Sequence, residues 1–313
     1  MTGRRGHPAV PGGVRGTRNA ARLPLPQGPV RIATGTVEIL RDRHEPQSVT
    51  VLVNGVPSSH LDLDDPTWLE FEYMQQMAVM IRHLPPGPLD AVHLGAAACA
   101  FPRWLEAERP GSRQLAVDLD GELLTLVRTW FDLPRSPRLR LRAGEAREVL
   151  TALPDASADV IVRDVFAADS TPRHLCTVEF VSQVARVLRP GGLYLANCAD
   201  RPPLSRARAE VATARSVLGD VALSAEPGQL KGRRYGNLVL AGTPGAAAGV
   251  DLDGANLARM LRSLPVPVRL LHGAELDEFA GRARPLHDPS ATPEDSDDEA
   301  APPTGDAASY RGR

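Results

Sequence analysis

Carboxylates sit past the ends of short apolar runs throughout the middle of this chain. Asp118 and Asp120 close AVDLD, Glu145 follows Gly144 after LRLRA, Asp164 ends DVIVRD, and Asp200 follows LANCA. Each run reads as a strand, so these acids gather around one crevice at the carboxyl ends of a sheet, where open α/β folds bind ligands. Acidic groups crowded together repel unless they meet hydrogen-bond donors or cationic charge. A positively charged ligand bearing a nucleoside fits such a crevice. Asp118, at the tip of a strand–turn–helix–strand unit over Leu89–Asp120, is placed to hold a ribose diol. The plainer alternative is a cap on the following helix. Glu145 is a candidate adenine contact, or an exposed turn residue. Asp164 is a candidate ligand-facing acid, or a strand-end cap. Arg163 faces the other way by strand alternation and reads as a surface or ion-pair residue. Asp169, His174 and Asp200 are weaker candidates.

The elements that position these groups alternate. Strands are predicted at Leu89–Leu94, Gln114–Asp118, Leu139–Leu141, Asp159–Asp164 and Leu193–Asn197. Helices are predicted between them, at Phe101–Ala107, Gly121–Trp130, Ala146–Leu153 and Val178–Leu188, with Pro203–Leu218 after the last. Such alternation implies a mainly parallel sheet with right-handed crossovers. Ala222–Ala225 and Asn237–Ala241 form a hairpin-like end, and helices at Ala255–Leu264 and Ala274–Ala283 pack on the edge. Upstream, VRIATGTVEIL and SVTVLVNGVPSS alternate around the turn signal Asn54-Gly55 and predict a small β-element. Asp65-Pro66 is expected to open a helix over TWLEFEYMQQMAVMIRHL, with Leu69, Tyr73, Met77 and Met80 at helical spacing.

The 313 residues allow one large α/β domain with flanking pieces. Basic, Gly/Pro-rich residues 1–29 read as a disordered arm, 30–60 as the β-element, 61–284 as the main domain, and 285–313 as a disordered acidic tail. A formal charge of −2 gives no overall argument for a nucleic-acid or anionic-membrane partner. Cys99, Cys176 and Cys198 fit neither a disulfide framework nor a zinc spacing, and read as reduced and buried. No apolar run is long enough to span a bilayer and no signal-peptide core opens the sequence, so a cytoplasmic location is expected.

In their order, these motifs resemble the spermidine synthase family, aminopropyltransferases on the class I S-adenosylmethionine-dependent methyltransferase fold. The likeness runs from about Gly35 to Thr243. HLGAAACAFPRWL is similar to the family's glycine-rich first motif, AVDLD to its acidic second motif and LRAGEAREVL to its third. DVIVRDVFAADSTPRHLCTVEFVSQVARVLRPGGLYLAN is similar to the fourth and fifth, and GRRYGNLVLAGT to the closing strand. The resemblance implies a Rossmann-like, seven-stranded, mainly parallel sheet and a site for decarboxylated S-adenosylmethionine, with no metal. Gly95, Ala96, Asp118, Glu145 and Ala146 would bind that co-substrate. Tyr73 and Glu70 would contact a small-molecule amine, Asp164 would help deprotonate it, and a homodimer is implied.

Several positions depart from the family pattern. The first motif carries Ala96, Ala97, Ala98 and Cys99 where the family has Gly-Gly-Asp-Gly. Met74 and Gln75 replace a His and a Glu, and Ala167 falls near a second Asp. Two alternatives therefore stand beside aminopropyl transfer. One is a methyltransferase using intact S-adenosylmethionine; the other is a non-catalytic family member acting as a binding or scaffold protein.

Overall fold

The structure, a computed structural model, describes residues 25–167, 170–245 and 250–289. Its elements run β1 (Val30–Ile32), β2 (Gly35–Arg41), β3 (Ser48–Val53), β4 (Val56–Asp62), α1 (Glu72–Arg82), β5 (Asp90–Leu94), α2 (Ala100–Glu108), β6 (Arg113–Asp118), α3 (Gly121–Trp130), β7 (Leu139–Ala143), α4 (Ala146–Thr151) and β8 (Ala158–Arg163). There follow a 3-10 turn (Arg173–Leu175), α5 (Val178–Val187), β9 (Leu188–Asp200), α6 (Ser205–Val217), β10 (Asp220–Ala225), α7 (Pro227–Leu230), β11 (Gly236–Thr243), α8 (Ala255–Arg262), β12 (Arg269–Leu271) and α9 (Gly273–Ala280).

β1–β4 form a separate antiparallel sheet. Asn54 and Gly55 both take positive φ, 52° and 80°, and join Val53 to Val56 in the two-residue turn that such a pair favours. The main sheet has the order β12-β10-β11-β9-β8-β5-β6-β7, parallel from β9 to β7 and antiparallel over β10–β12. It holds eight strands, against seven expected. The addition, β12, has three residues, too few to show a period. β9 starts earlier than expected because Arg189-Pro190-Gly191-Gly192 is absorbed as an irregularity, with Ala158 pairing Leu188 and Val160 pairing Leu193.

The sheet is covered on both faces. Val92, Leu94 and Ile161 pack with α4, α5 and α6, while Ala91, Val160 and Val162 pack with α1, α2 and α8. A third cluster joins the small sheet to α3 and to the turn after β5. Strand order reverses between β5 and β8, which is where such a sheet leaves a ligand crevice.

Two boundaries differ from expectation. α1 begins at Glu72 rather than just after Pro66. Asp62 accepts from the amides of Asp64 and Asp65, and Asp65 accepts from both the amide and the hydroxyl of Thr67. These local aspartate turns take the backbone donors that a helix would need. At the other end the ordered body runs beyond residue 284. Leu286 accepts from the amide of Val178 and donates to Thr213, and Asp288 pairs with Arg147. Most of the expected arm and tail, residues 1–24 and 290–313, lies outside the described residues.

Candidate active site

At the switch point, β5 runs into Gly95, whose φ is +82°. A Cβ there would lie 2.2 Å from the carbonyl oxygen of Asp164, so no larger residue fits between these two strand ends. The amide of Asp164 donates to Leu94, and that of Gly95 to Val117. The end of β5 is thus fastened to both flanking strands, and Asp118 and Asp164 stand about 10 Å apart across it.

Asp118 is held by backbone. Its Oδ2 accepts from the amides of Ala97 at 2.9 Å and Ala96 at 3.3 Å, and its Oδ1 from the amide of Asp120 at 3.1 Å. A carboxylate offers about four acceptor directions, so capacity for further donors remains. Burial pushes its pKa up while the three amides pull it back. The turn that supplies those amides holds Ala97 at φ 40° and Cys99 at φ 60°, in the left-handed region that suits glycine.

Ala96, Ala98 and Cys99 are buried in the cluster formed with Val37, Val49 and Leu61 of the small sheet. The amide of Ala98 donates to Ser59 on β4, and Thr34 donates to Asp120 through both its amide and its hydroxyl. Ala96 and Ala98 therefore fill a contact between the turn and the N-terminal sheet, while Ala97 is only partly buried.

Asp164 is held by side chains. Tyr73, from the first turn of α1, donates its hydroxyl to Oδ2 at 2.7 Å, and Asn197 on β9 donates to Oδ1 at 2.9 Å. Burial raises the carboxyl above its ordinary value and these two donors lower it. Burial, with Asp164 adding to it, also raises the Tyr73 hydroxyl well above its usual range. The Oδ1 of Asn197 is buried without a partner among the described residues.

Next to Asp164, Arg163 is fully buried and no surface residue. Its guanidinium pairs with Glu210 of α6 at 2.6 Å and donates to the carbonyls of Leu175 and Asn197. Burial works against its charge, but Glu210 keeps it well above the ordinary arginine range. Cys176 and Cys198 touch the same guanidinium, and all three cysteines are free and buried.

Glu145 caps α4, accepting from the amide of Glu148 through Oε2, while Oε1 faces Nε2 of His174 at 3.0 Å. Ala146 follows it, buried in the first turn. Glu70 lies in the coil before α1 and accepts from the indole of Trp68, so it does not share a helix with Tyr73. Asp200 is buried and caps α6 through the amide of Ala207. Asp169 lies outside the described residues.

Two apolar side chains stand open on this rim, Leu119 at 68% exposure and Phe166 at 37%. They follow β6 and β8, either side of the Gly95 turn. Cavities of about 410 and 460 Å³ lie elsewhere, around α6 and α9, and none of the residues above lines them. No group of three or more His, Cys, Asp or Glu suited to a metal occurs among the described residues. Nor does any described helix have the length and apolarity to cross a membrane.

Comparison with known proteins gives a family. A solved structure described as a probable spermidine synthase from Corynebacterium glutamicum is 38% identical, with a TM-score of 0.79, over 86% of this chain and 99% of that one. This chain belongs to the spermidine synthase family. Residues 92–196 also match the family described as "Methyltransferase domain". The Thermotoga maritima spermidine synthase shares the fold at 14% identity and a TM-score of 0.54, over 76% of this chain and 78% of that one. The polyamine aminopropyltransferase of Neisseria meningitidis serogroup A is 24% identical over 140 residues, 44% of this chain and 53% of its own length. The matched region thus spans about half of that curated relative.

Sequence reasoning missed Asn197 as a partner of Asp164, Arg163–Glu210 as a buried pair, and the reach of the small sheet to the first motif. The family pattern pointed to Tyr73 and Asp164 but could not supply their contact, which joins residues 91 apart.

Proposed function

We propose that this protein transfers an aminopropyl group from decarboxylated S-adenosylmethionine to a small amine. The observation that carries the reading is the Tyr73–Asp164–Asn197 arrangement at the switch point, beside an Asp118 oriented by the first-motif turn. Family membership supports it. The residues on the nucleoside side fit the co-substrate: a turn too tight for any side chain at position 95, an oriented acid, and an exposed apolar shelf at Leu119. Asp118 would hold the ribose hydroxyls and Glu145 with Ala146 the adenine edge. The sulfonium supplies an electrophilic methylene carbon.

This chain's own residues then act on the amine. Only a neutral amine nitrogen carries a free lone pair, so an attacking ammonium must first lose a proton. Asp164 is the base within reach. Its burial favours the protonated carboxyl, which makes the carboxylate a stronger acceptor than an exposed aspartate. Tyr73 and Asn197 fix its orientation. As the new C–N bond forms in line, the C–S bond breaks and its electron pair leaves on sulfur as methylthioadenosine. Charge and proximity supply the acceleration. The three reduced, buried cysteines agree with a reaction in the cytoplasm.

A second reading is methyl transfer from intact S-adenosylmethionine. It is favoured by Ala98, which is fully buried and puts no carboxylate where an aminopropyl ammonium would otherwise be gripped.

A product assay with decarboxylated S-adenosylmethionine and a diamine distinguishes them. Aminopropylated amine and methylthioadenosine are expected. Asp164→Asn should cut the rate by about 10²–10⁴, and a variant as fast as the parent removes Asp164 from the chemistry. Asp118→Ala should weaken adenosyl binding by about 1–3 kcal/mol, read by calorimetry.

A further inference from the structure

The C-terminal segment that follows α9 returns to the same rim. Leu286 closes the amino end of α5 by accepting from the amide of Val178 at 2.8 Å, and its own amide donates to Thr213 of α6 at 2.8 Å. Asp288 donates its amide to Glu179 at 3.0 Å, and the His287 imidazole meets the same carboxylate at 3.0 Å. The Asp288 carboxylate is gripped at both oxygens by Arg147, at 2.8 and 2.5 Å. Both α4 and α5 begin at the carboxyl ends of sheet strands, so this segment lies along the mouth of the candidate site.

From Arg147 the contacts continue inward. Its Nη1 also donates to the carbonyl of His174 at 3.2 Å, and the His174 ring meets Glu145 Oε1 at 3.0 Å. We propose that Asp288 is a positioning residue for the nucleoside site, acting on Glu145 through Arg147 and His174. The proposal rests on Glu145 being a ligand of the adenosyl group, as read above.

The geometry favours this over an idle surface contact. An exposed ion pair contributes little because two long side chains must be frozen for a screened attraction. Here the fork is bidentate, both partners are largely covered, at 25% and 32% side-chain exposure, and the arginine serves a backbone carbonyl as well. Glu145 Oε2 caps α4 through the amide of Glu148, the amide of Arg147 also donates to this carboxylate, and the His174 ring is the side chain that meets Oε1, the oxygen turned from the cap. Loosening Arg147 frees the His174 loop and with it that oxygen. Linkage is reciprocal: a nucleoside that orders Glu145 also tightens the C-terminal segment.

The test is binding of methylthioadenosine to the full chain by calorimetry, with melting temperature followed in parallel. Asp288→Asn and Arg147→Lys should each raise Kd by about five- to tenfold, and the double variant should be no worse than either. Glu145→Ser keeps a helix cap but lacks the reach to His174. In that background Asp288→Asn should change Kd less than twofold. A purely structural role would instead lower the melting temperature and raise Kd equally in both backgrounds, and that result overturns the proposal. So does an unchanged Kd in Asp288→Asn when the parent binds. A parent that binds no methylthioadenosine overturns the nucleoside-site reading itself, and the coupling falls with it.

Discussion

The two acids that flank β5 are held by opposite means. Asp118 is fixed by three backbone amides within two adjoining turns, whereas Asp164 is fixed by two side chains delivered from α1 and β9. Backbone donors come with the strand–turn–helix unit, so the proposed nucleoside side is an attribute of local chain geometry. Side-chain donors depend on packing between distant elements, so the proposed amine side is an attribute of the assembled core. The first is robust to side-chain change, which is how alanines stand in the turn; the second can be retuned by single residues.

Breaking the point that both acids share should have the largest effect. Gly95→Ala places a methyl against the Asp164 carbonyl at a positive φ, and a stability loss above about 3 kcal/mol is expected by chemical denaturation. Near-parental stability would mean that the strand ends can separate. Next, Glu210→Ala leaves the Arg163 charge buried and unpaired. A loss of about 3–5 kcal/mol is expected, and it should disturb Asp164 and Asn197 while sparing adenosyl affinity in whatever protein still folds.

The smallest and sharpest contrast is in pH. Tyr73→Phe removes a donor to the ionised Asp164, so the carboxyl, already raised by burial, rises further. The acidic limb of the rate profile should move to higher pH, with adenosyl affinity unchanged. The sign for stability follows the same shift. A carboxyl raised in the fold favours its protonated form there, so its contribution is full below the unfolded value near 3.8 and is lost as pH rises through the folded one. A limb that stays put in Tyr73→Phe would place the titration on another group.

Much of the fold could be read in advance because the relevant signals are local. The predicted Gly121–Trp130 helix is α3 as observed, and Asn54-Gly55 makes its turn because only certain residues tolerate two successive positive φ angles. The helix expected after Pro66 starts late because Asp62 and Asp65 compete for the backbone amides, a preference that apolar spacing does not register. In the site, alternation correctly turned Arg163 away from Asp164, but nothing in the sequence marked Glu210, 47 positions on, as its partner across the core.

The sequence by itself settled the alternation of strands and helices, the tight turn at Gly95, and the placing of acids past strand ends, because periodicity, turn chemistry and chain direction act over a few residues. Only the tertiary structure decided that the alanine turn is roofed by the small sheet, that Asp164 shares donors from two elements, and that residues 285–288 close over Arg147. Those outcomes depend on which surfaces meet when the core forms, and burial makes an unpaired polar group costly enough to select its partner at any distance along the chain.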